Sequence, residues 1–258
     1  MRVASTFREA NFLVSQGSHY EDPETMESRE IDVIASKMDE LGFLQISLVI
    51  ECKSSKDKPW LLFTTKEQGN RLINFSMMSD FTRHRLTTKL TNDSDGIIGL
   101  PWFRKPDRNG YGLTVAFSRG DDPAFKAVLS ALKAAIETYK PRNEMNRANL
   151  HFVFPTVVLD GRLFEAHLDA NGEPDVNEIA HGYLTPNRTI AGHRCSSVRI
   201  VTTQHLPNFC TEVSQLESGI KSEFASDVEE MSQELKNRLT TGNKKTAARP
   251  VRFRTKPK

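Results

Sequence analysis

The sequence is poor in cysteine and has no long apolar run, and both absences narrow its class. The 258 residues include three cysteines, Cys52, Cys195 and Cys210, without CxxC spacing. This odd number supports neither a disulfide framework nor a zinc knuckle, so we expect three reduced thiols. No apolar run approaches the ~20 residues of a membrane helix, and the N-terminal residues are too polar for a signal peptide. We therefore expect a cytoplasmic protein that does not contact membranes.

The sequence also lacks the short signatures of several enzyme classes. The P-loop frame GxxxxGK(S/T), the zinc-protease motif HExxH and the serine-hydrolase motif GxSxG do not occur. An ATPase, a zinc protease and an α/β-hydrolase therefore have no support. The seven histidines are scattered without metal-ligand spacing. We expect most of them to be surface or core residues.

Charge is distributed unevenly along the chain. A content of 38% hydrophobic and 26% charged residues is typical of a globular protein, and the net charge is +2. Residues 236–258 hold nine Lys or Arg and no Asp or Glu, which leaves 26 basic and 33 acidic residues elsewhere. A tail this basic is suited to contacting phosphate groups. The alternative, a solvated and disordered end that maintains solubility, fits the composition equally well.

A polar turn between two apolar stretches predicts an antiparallel hairpin near the N-terminus. Residues 29–37 and 43–52 are rich in Ile, Val and Leu, and residues 39–42 between them are polar and end in glycine. Strand-forming runs joined by such a segment are typical of a hairpin. We expect the turn to be centred between Leu41 and Gly42.

This register brings charged side chains together. Asp32 lies opposite Glu51, and alternation along the strand places Glu51 and Lys53 on one face and Cys52 on the other. Two carboxylates at one place are costly unless a cation neutralises them, and a divalent cation such as Mg²⁺ prefers carboxylate oxygens. The alternative is an exposed strand face on which Asp32 and Glu51 form weak surface ion pairs with Arg29 and Lys53. The apolar flanks favour the metal site, because they indicate a buried strand.

These residues resemble the signature of the PD-(D/E)XK nuclease superfamily. In that signature an Asp is followed, after a variable gap, by (D/E)xK, and here Asp32 is followed after eighteen residues by Glu-Cys-Lys at 51–53. The flanking residues 29–31 and 59–60 are also similar to those of restriction-endonuclease-like proteins. Ile31 stands where the family often has proline, a common variation that leaves the metal chemistry intact.

The resemblance implies a role for each residue. Asp32 and Glu51 would bind Mg²⁺ or Mn²⁺, together with the main-chain carbonyl of Cys52. Lys53 would orient the attacking water or help to deprotonate it. Many members add a Glu from the helix before the hairpin, and Glu9 occupies that position. The implied fold is an αβββαβ core.

The remaining pattern predicts a mixed central β-sheet flanked by helices, the α/β class. Apolar spacing predicts a helix at residues 4–14, and Asp122-Pro123 predicts the start of a helix at 124–139 that packs across the sheet. The dipeptide Asp160-Gly161 predicts a hairpin turn. We expect the core at 1–66 and 113–205, an insertion at 67–112 with a helix at 68–81, a single amphipathic helix at 206–240 and a basic tail at 241–258.

Three segments leave an alternative open. We expect a polar turn at residues 54–58. Tyr20 and Asp22 could border the site, but a position in a loop is favoured for them. Trp60 and Trp102 are expected to be core residues rather than surfaces that stack on bases. The stripe at 206–240 drifts from a heptad repeat, which favours packing on the body over a homodimer or partner seam.

The function that this sequence predicts is a Mg²⁺-dependent nuclease, an endonuclease-like phosphodiesterase with DNA as the expected substrate. The alternative is a catalytically inactive nuclease-like fold kept as a nucleic-acid-binding or assembly module. In that case the basic tail and the C-terminal helix would bind the nucleic acid or the protein partner.

Overall fold

The chain forms a large mixed sheet with helices on both faces. The computed structural model describes residues 2–66, 75–92, 96–97, 99–100, 102–103, 108–118, 122–140 and 149–246. The strands are β1 Leu13–Glu21, β2 Ser28–Met38, β3 Leu44–Lys66, β4 Met77–Met78, β5 Arg108–Val115, β6 Leu150–Leu168, β7 Pro174–Ile179, β8 His181–Leu184, β9 Thr189–Ile190, β10 His193–Arg194 and β11 Val198–Thr202. The helices are α1 Arg2–Glu9, α2 Asp80–Asn92, α3 Pro123–Tyr139, α4 Leu206–Glu223 and α5 Ala225–Thr246. The predicted α/β class is confirmed.

The predicted hairpin and its register are confirmed. β2 and β3 pair antiparallel from Met38 opposite Gln45 to Val33 opposite Ile50, which is the register of a turn centred between Leu41 and Gly42. Gly42 has φ +72, a backbone conformation that favours glycine. On its other edge β3 pairs in parallel with β6 along most of its length.

Part of the sheet closes on itself. The pairings β3–β5, β5–β8, β8–β11, β11–β6 and β6–β3 form a ring of five strands, and β1 and β2 extend from it beside the first half of β3. Leu62 fills the space between Gly110 and Gly182, because a Cβ at either glycine would meet a Leu62 methyl at 2.5 or 2.4 Å. Glycine at these two positions allows the strands to approach.

Two apolar cores lie on opposite faces of the β2–β3 hairpin. Val49 and Trp60 belong to the core under α3, whereas Ile50 belongs to the core formed with α1, α4 and α5. α3 begins at the predicted cap, where the Asp122 carboxylate accepts a hydrogen bond from Ala124 N at 2.9 Å. The predicted helix across the sheet is therefore confirmed, and Trp60, 1% exposed, is the predicted core residue.

The C-terminal stripe forms two helices rather than one. α4 ends at Glu223 and α5 begins at Ala225, with Phe224 between them. Phe209, Ile220 and Phe224 are buried in the same core as α1, so the stripe packs on the body as expected. The predicted boundary at residue 240 is wrong, because α5 continues through residues 241–246, and the rest of the predicted tail, 247–258, lies outside the described residues.

The hairpin turn predicted at Asp160-Gly161 is wrong. Both residues lie inside β6, which runs on as one strand to Leu168. Parallel pairing with β3 on both sides of this point holds β6 extended, and a Cβ at Gly161 would meet Ser55 O at 2.5 Å. Glycine is needed here for close approach, and the chain instead reverses at residues 169–173, where Gly172 has φ +83.

Two other predicted segments also differ. The expected turn at residues 54–58 lies within β3, where it appears as a register shift against β6 between Ser55 and Trp60. Part of the expected helix at 68–81 lies outside the described residues, and the rest contains β4 and the start of α2. The described part of the expected insertion contributes β4 and the first half of β5 to the sheet. No helix in the described ranges is long and apolar enough to cross a membrane.

Candidate active site

The predicted site lies where two strands separate. Beyond the pair of Val33 with Ile50, β2 continues to Ser28 beside β1 only. The same edge of β3 is next occupied by β5, starting at the pair of Trp60 with Val115. Residues 51–59 therefore present an edge to which no strand pairs in the described part of the chain. We call this segment the free edge of β3.

Asp32 closes the inner end of the free edge. Its Oδ2 accepts a hydrogen bond from Cys52 N at 2.7 Å, and so takes the place of the carbonyl that a continued ladder would supply. In an extended strand the N–H and C=O of one residue point to the same edge. The carbonyl of Cys52 therefore also points toward Asp32 and the free edge.

Glu51 and Lys53 lie on one face of β3, as alternation predicts. Lys53 Nζ donates to Glu51 Oε1 at 2.5 Å, with the Glu51 side chain 10% exposed and the Lys53 side chain 35% exposed. Burial raises the pKa of Glu51, Lys53 lowers it, and the charge of Asp32 raises it, with a net increase. Lys53 thus does not offset the burial of Glu51 together with the nearby charge of Asp32, and a further positive charge here would favour the ionised form of Glu51.

The thiol of Cys52 faces away from the acids. It packs against the core on the side of α1 and α4, which confirms the predicted alternation. Burial first, and then the charges of Asp32 and Glu51, raise the pKa of this thiol to about 12. The thiol therefore stays protonated at neutral pH and is a poor metal ligand. Only the main-chain carbonyl of Cys52 can serve the site.

The structure does not bring Glu9 to the other candidates. Glu9 is the last residue of α1, is exposed, and accepts a hydrogen bond from Ser5 Oγ at 3.0 Å. α1 packs through Phe7 into the core on the face opposite Glu51. The sequence correctly predicted a helix before the hairpin. The periodicity of that helix does not indicate on which face of the sheet it packs.

Three further residues lie near the site: Tyr20 and Asp22, for which the sequence favoured a loop, and Lys133, which was not assigned to the site from the sequence. The loop is wrong for Tyr20. Tyr20 lies in β1, and burial followed by the charges of Asp22 and Glu51 raises its pKa. Asp22 is 1% exposed and accepts hydrogen bonds from Lys133 Nζ of α3 at 3.0 and 2.9 Å. The hydroxyl of Tyr20 is therefore within electrostatic range of Glu51 and of a second ion pair, Asp22 with Lys133.

The second ion pair holds α3 against the strands. Burial alone would raise the pKa of Asp22, but hydrogen bonds from Lys133 and from the backbone lower it. Arg29 Nε lies 3.0 Å from Asp22 Oδ2, and Lys133 Nζ also lies 2.9 Å from Glu24 Oε2. This pair is satisfied within the protein. The sequence signal for it was a lysine in the middle of a helix whose other inward positions are apolar.

The two acids could hold a hard divalent cation but not a cation that needs many side chains. Among the residues that the structure describes, no three His, Cys, Asp or Glu side chains are grouped for metal binding. Two carboxylates and a carbonyl oxygen provide three oxygen ligands, and Mg²⁺ usually keeps several waters as well. The raised pKa of Glu51 and the orientation of the Cys52 carbonyl fit such an ion.

Comparison of the chain with protein-family models, with curated proteins and with solved structures gives no match in any of the three. Functional reasoning therefore depends on the residues of this chain and on their geometry.

Proposed function

We propose that this protein is a metal-dependent nuclease of the PD-(D/E)XK type that hydrolyses phosphodiester bonds, with DNA as its substrate. The observation that carries the proposal is the pair of acids at the free edge of β3. Glu51 is buried with a raised pKa beside Asp32, and Lys53 contacts it directly. A buried carboxyl group with a raised pKa and a charged partner at an open edge is a candidate for a functional site.

The order of elements supports the same proposal. α1 is followed by β1, β2 and β3, and after residues 67–122 by α3 and β6. β1, β2 and β3 pair antiparallel in sequence, and β6 joins β3 in parallel. α1 and α3 pack on opposite faces. This order is compatible with the αβββαβ core that the motif implies, and the acids would then lie on its second and third strands.

Each residue has a definite part in the proposed reaction. Asp32, Glu51 and the Cys52 carbonyl would hold Mg²⁺ or Mn²⁺, which polarises the phosphate and lowers the pKa of a bound water. The Cys52 N–H fixes the orientation of Asp32 by its 2.7 Å hydrogen bond. Lys53 lies at the exposed side of Glu51, where its ammonium can position the attacking water and oppose the negative charge that develops on the phosphate.

The test is Lys53→Ala with Lys66→Ala as its matched control, because both are lysines of β3 and Lys66 is exposed at the end of the strand, beyond the free edge. We expect Lys53→Ala to reduce cleavage of DNA in Mg²⁺ or Mn²⁺ by ~100-fold or more while the protein stays folded. Binding of DNA in Ca²⁺ should be retained within a few fold. Equal cleavage by the two variants would contradict the proposal.

One observation favours the alternative, a binding or assembly module without catalysis. Lys53 already forms an ion pair with Glu51, which partly neutralises that acid without a metal ion. A titration with Mn²⁺ separates the two functions: the nuclease should gain thermal stability as the ion binds, and Asp32→Asn should remove that gain. A wild-type protein that does not respond to Mn²⁺ but still binds DNA would be the module.

A further inference from the structure

An exposed aromatic side chain occupies a backbone position that disfavours it. Phe117 is 88% exposed and has φ +59. It lies in the tight turn that ends β5, where Ser118 N donates to Val115 O at 3.2 Å. Glycine or asparagine is usual at a turn position with positive φ, and a bulky residue there is a genuine outlier. At 88% exposure the ring packs on little of the described chain, so core packing does not account for phenylalanine at this position.

The turn forms one end of the free edge of β3. Ala116 N donates to Pro59 O at 2.9 Å, and Val115 pairs with Trp60. Lys53 pairs with Leu159 of β6, and Trp60 pairs with Leu163, four residues further along β6. Four strand residues span about 13 Å, so Lys53 and Trp60 are separated by about four steps of 3.4 Å along a nucleic-acid strand. Phe117 is therefore within a few nucleotides of the candidate catalytic lysine.

The segment between the site and Phe117 protrudes and carries two lysines on either side of Asp57, and Lys56 Nζ lies 3.6 Å from Asp160 Oδ2. The register of β3 against β6 shifts between Ser55 and Trp60, and Ser55 Oγ donates to Lys58 O at 2.7 Å. The protrusion exposes Lys56 and Lys58. Strand irregularities of this kind are common beside active sites. Lysines that contact phosphates, next to an aromatic ring that stacks on bases, form the usual surface for an unpaired strand.

We propose that Phe117 stacks on an unpaired base of the substrate, so that this site prefers nucleic acid with an unpaired nucleotide a few positions from the cleaved phosphate. This inference rests on the proposed nuclease function. Stacking on a base would bury part of the exposed ring, and its free energy would offset the cost of the strained backbone conformation. A fully paired duplex offers the ring no free base face, and it should bind through phosphate contacts alone.

The test compares Phe117→Ala with Tyr111→Ala. Tyr111 is also an exposed aromatic residue, 67% exposed, but it lies within β5, farther from the free edge, where its ring is near Phe63. The probes are a duplex with one unpaired 2-aminopurine and the same duplex fully paired, both in Ca²⁺ to prevent cleavage. Anisotropy gives the affinity, and 2-aminopurine fluorescence reports stacking.

We expect Phe117→Ala to weaken binding of the unpaired probe by about 5- to 100-fold. The change in 2-aminopurine fluorescence that the wild-type protein causes on binding should be lost. Phe117→Trp should retain both, and Tyr111→Ala should change neither. Binding of the paired duplex should be the same in all variants. If the wild type cleaves and binds DNA but Phe117→Ala behaves like Tyr111→Ala, the stacking inference is wrong and the nuclease function stands. If the wild type neither binds nor cleaves any DNA, both are wrong.

Discussion

The β2–β3 hairpin carries two polar clusters on one face, and they differ in whether their groups are satisfied. Four residues before Glu51 along β3, Ser47 Oγ lies 2.8 Å from Ser36 Oγ and 2.9 Å from His151 Nε2. This neutral cluster lies within the regular ladder, where Ser36 is the partner of Ser47. The charged cluster at Glu51 lies where that ladder ends.

The pKa values of His151 and Glu51 distinguish the two clusters. Burial lowers the pKa of His151 to about 4, so the imidazole is neutral and each polar group of its cluster has a partner inside the protein. At the other cluster the pKa of Glu51 is raised in spite of the Lys53 ammonium. A buried polar group is therefore not by itself a sign of function. Uncompensated charge at an edge without a strand partner is the stronger sign.

The largest expected effect separates the clusters by substitution. Glu51→Gln should reduce metal-dependent DNA cleavage by ~100-fold or more, because the amide is a poor ligand for Mg²⁺. The same change should leave the unfolding free energy unchanged or higher, because it removes a buried carboxylate whose charged form is disfavoured. Cleavage assays and urea unfolding measure the two effects.

Ser47→Ala is the matched control at the neutral cluster. It should leave cleavage within about twofold and lower the unfolding free energy by about 1–3 kcal/mol, because His151 and Ser36 lose a buried partner. A stable but inactive Ser47→Ala protein, or an active Glu51→Gln protein, would contradict the assignment of function to the charged cluster.

The second prediction concerns acid stability. His151 has a lower pKa in the folded protein than in the unfolded chain, so the stability from its neutral form is present above pH ~6.5 and is lost as the pH falls toward 4. The loss should be about 3 kcal/mol across this range. Urea unfolding as a function of pH should show it in the wild type, and His151→Gln should flatten it. His19→Gln, at an exposed histidine, should not; a flat wild-type profile would contradict the prediction.

Sequence reasoning was accurate where local physics decides the structure. The hairpin register followed from a turn whose position is fixed by residues 39–42, and α3 followed from a capping aspartate and a proline. Both outcomes depend on neighbours along the chain. Strand alternation then placed Glu51 and Lys53 on one face of β3. The ladder ends at Val33 and Ile50, and Asp32 accepts a hydrogen bond from Cys52 N.

Long-range packing set the limits of prediction. Asp160-Gly161 has the composition of a turn, but pairing with β3 on both sides keeps it extended. Glu9 is in the predicted helix, but that helix packs on the face opposite Glu51. The free edge arises because β2 leaves β3 before β5 joins it, and β5 is about fifty residues away along the chain. No local pattern encodes that separation.

The smallest expected effect tests the comparison through the pH dependence of metal binding. In the metal-free protein the pKa of Glu51 is raised, so the stability from its protonated form is present below the unfolded pKa and is lost as the pH rises through the folded pKa. A divalent ion needs the ionised carboxylate and should reverse this trend. Mn²⁺ at ten times its Kd should add about 1.4 kcal/mol at neutral pH, and the gain should vanish in acid. Differential scanning fluorimetry with and without Mn²⁺ measures it.

Ser47→Ala should keep the full Mn²⁺ response and Glu51→Gln should lose it, because only the charged cluster offers carboxylate ligands to a cation. Equal responses in the two variants would place the ion elsewhere.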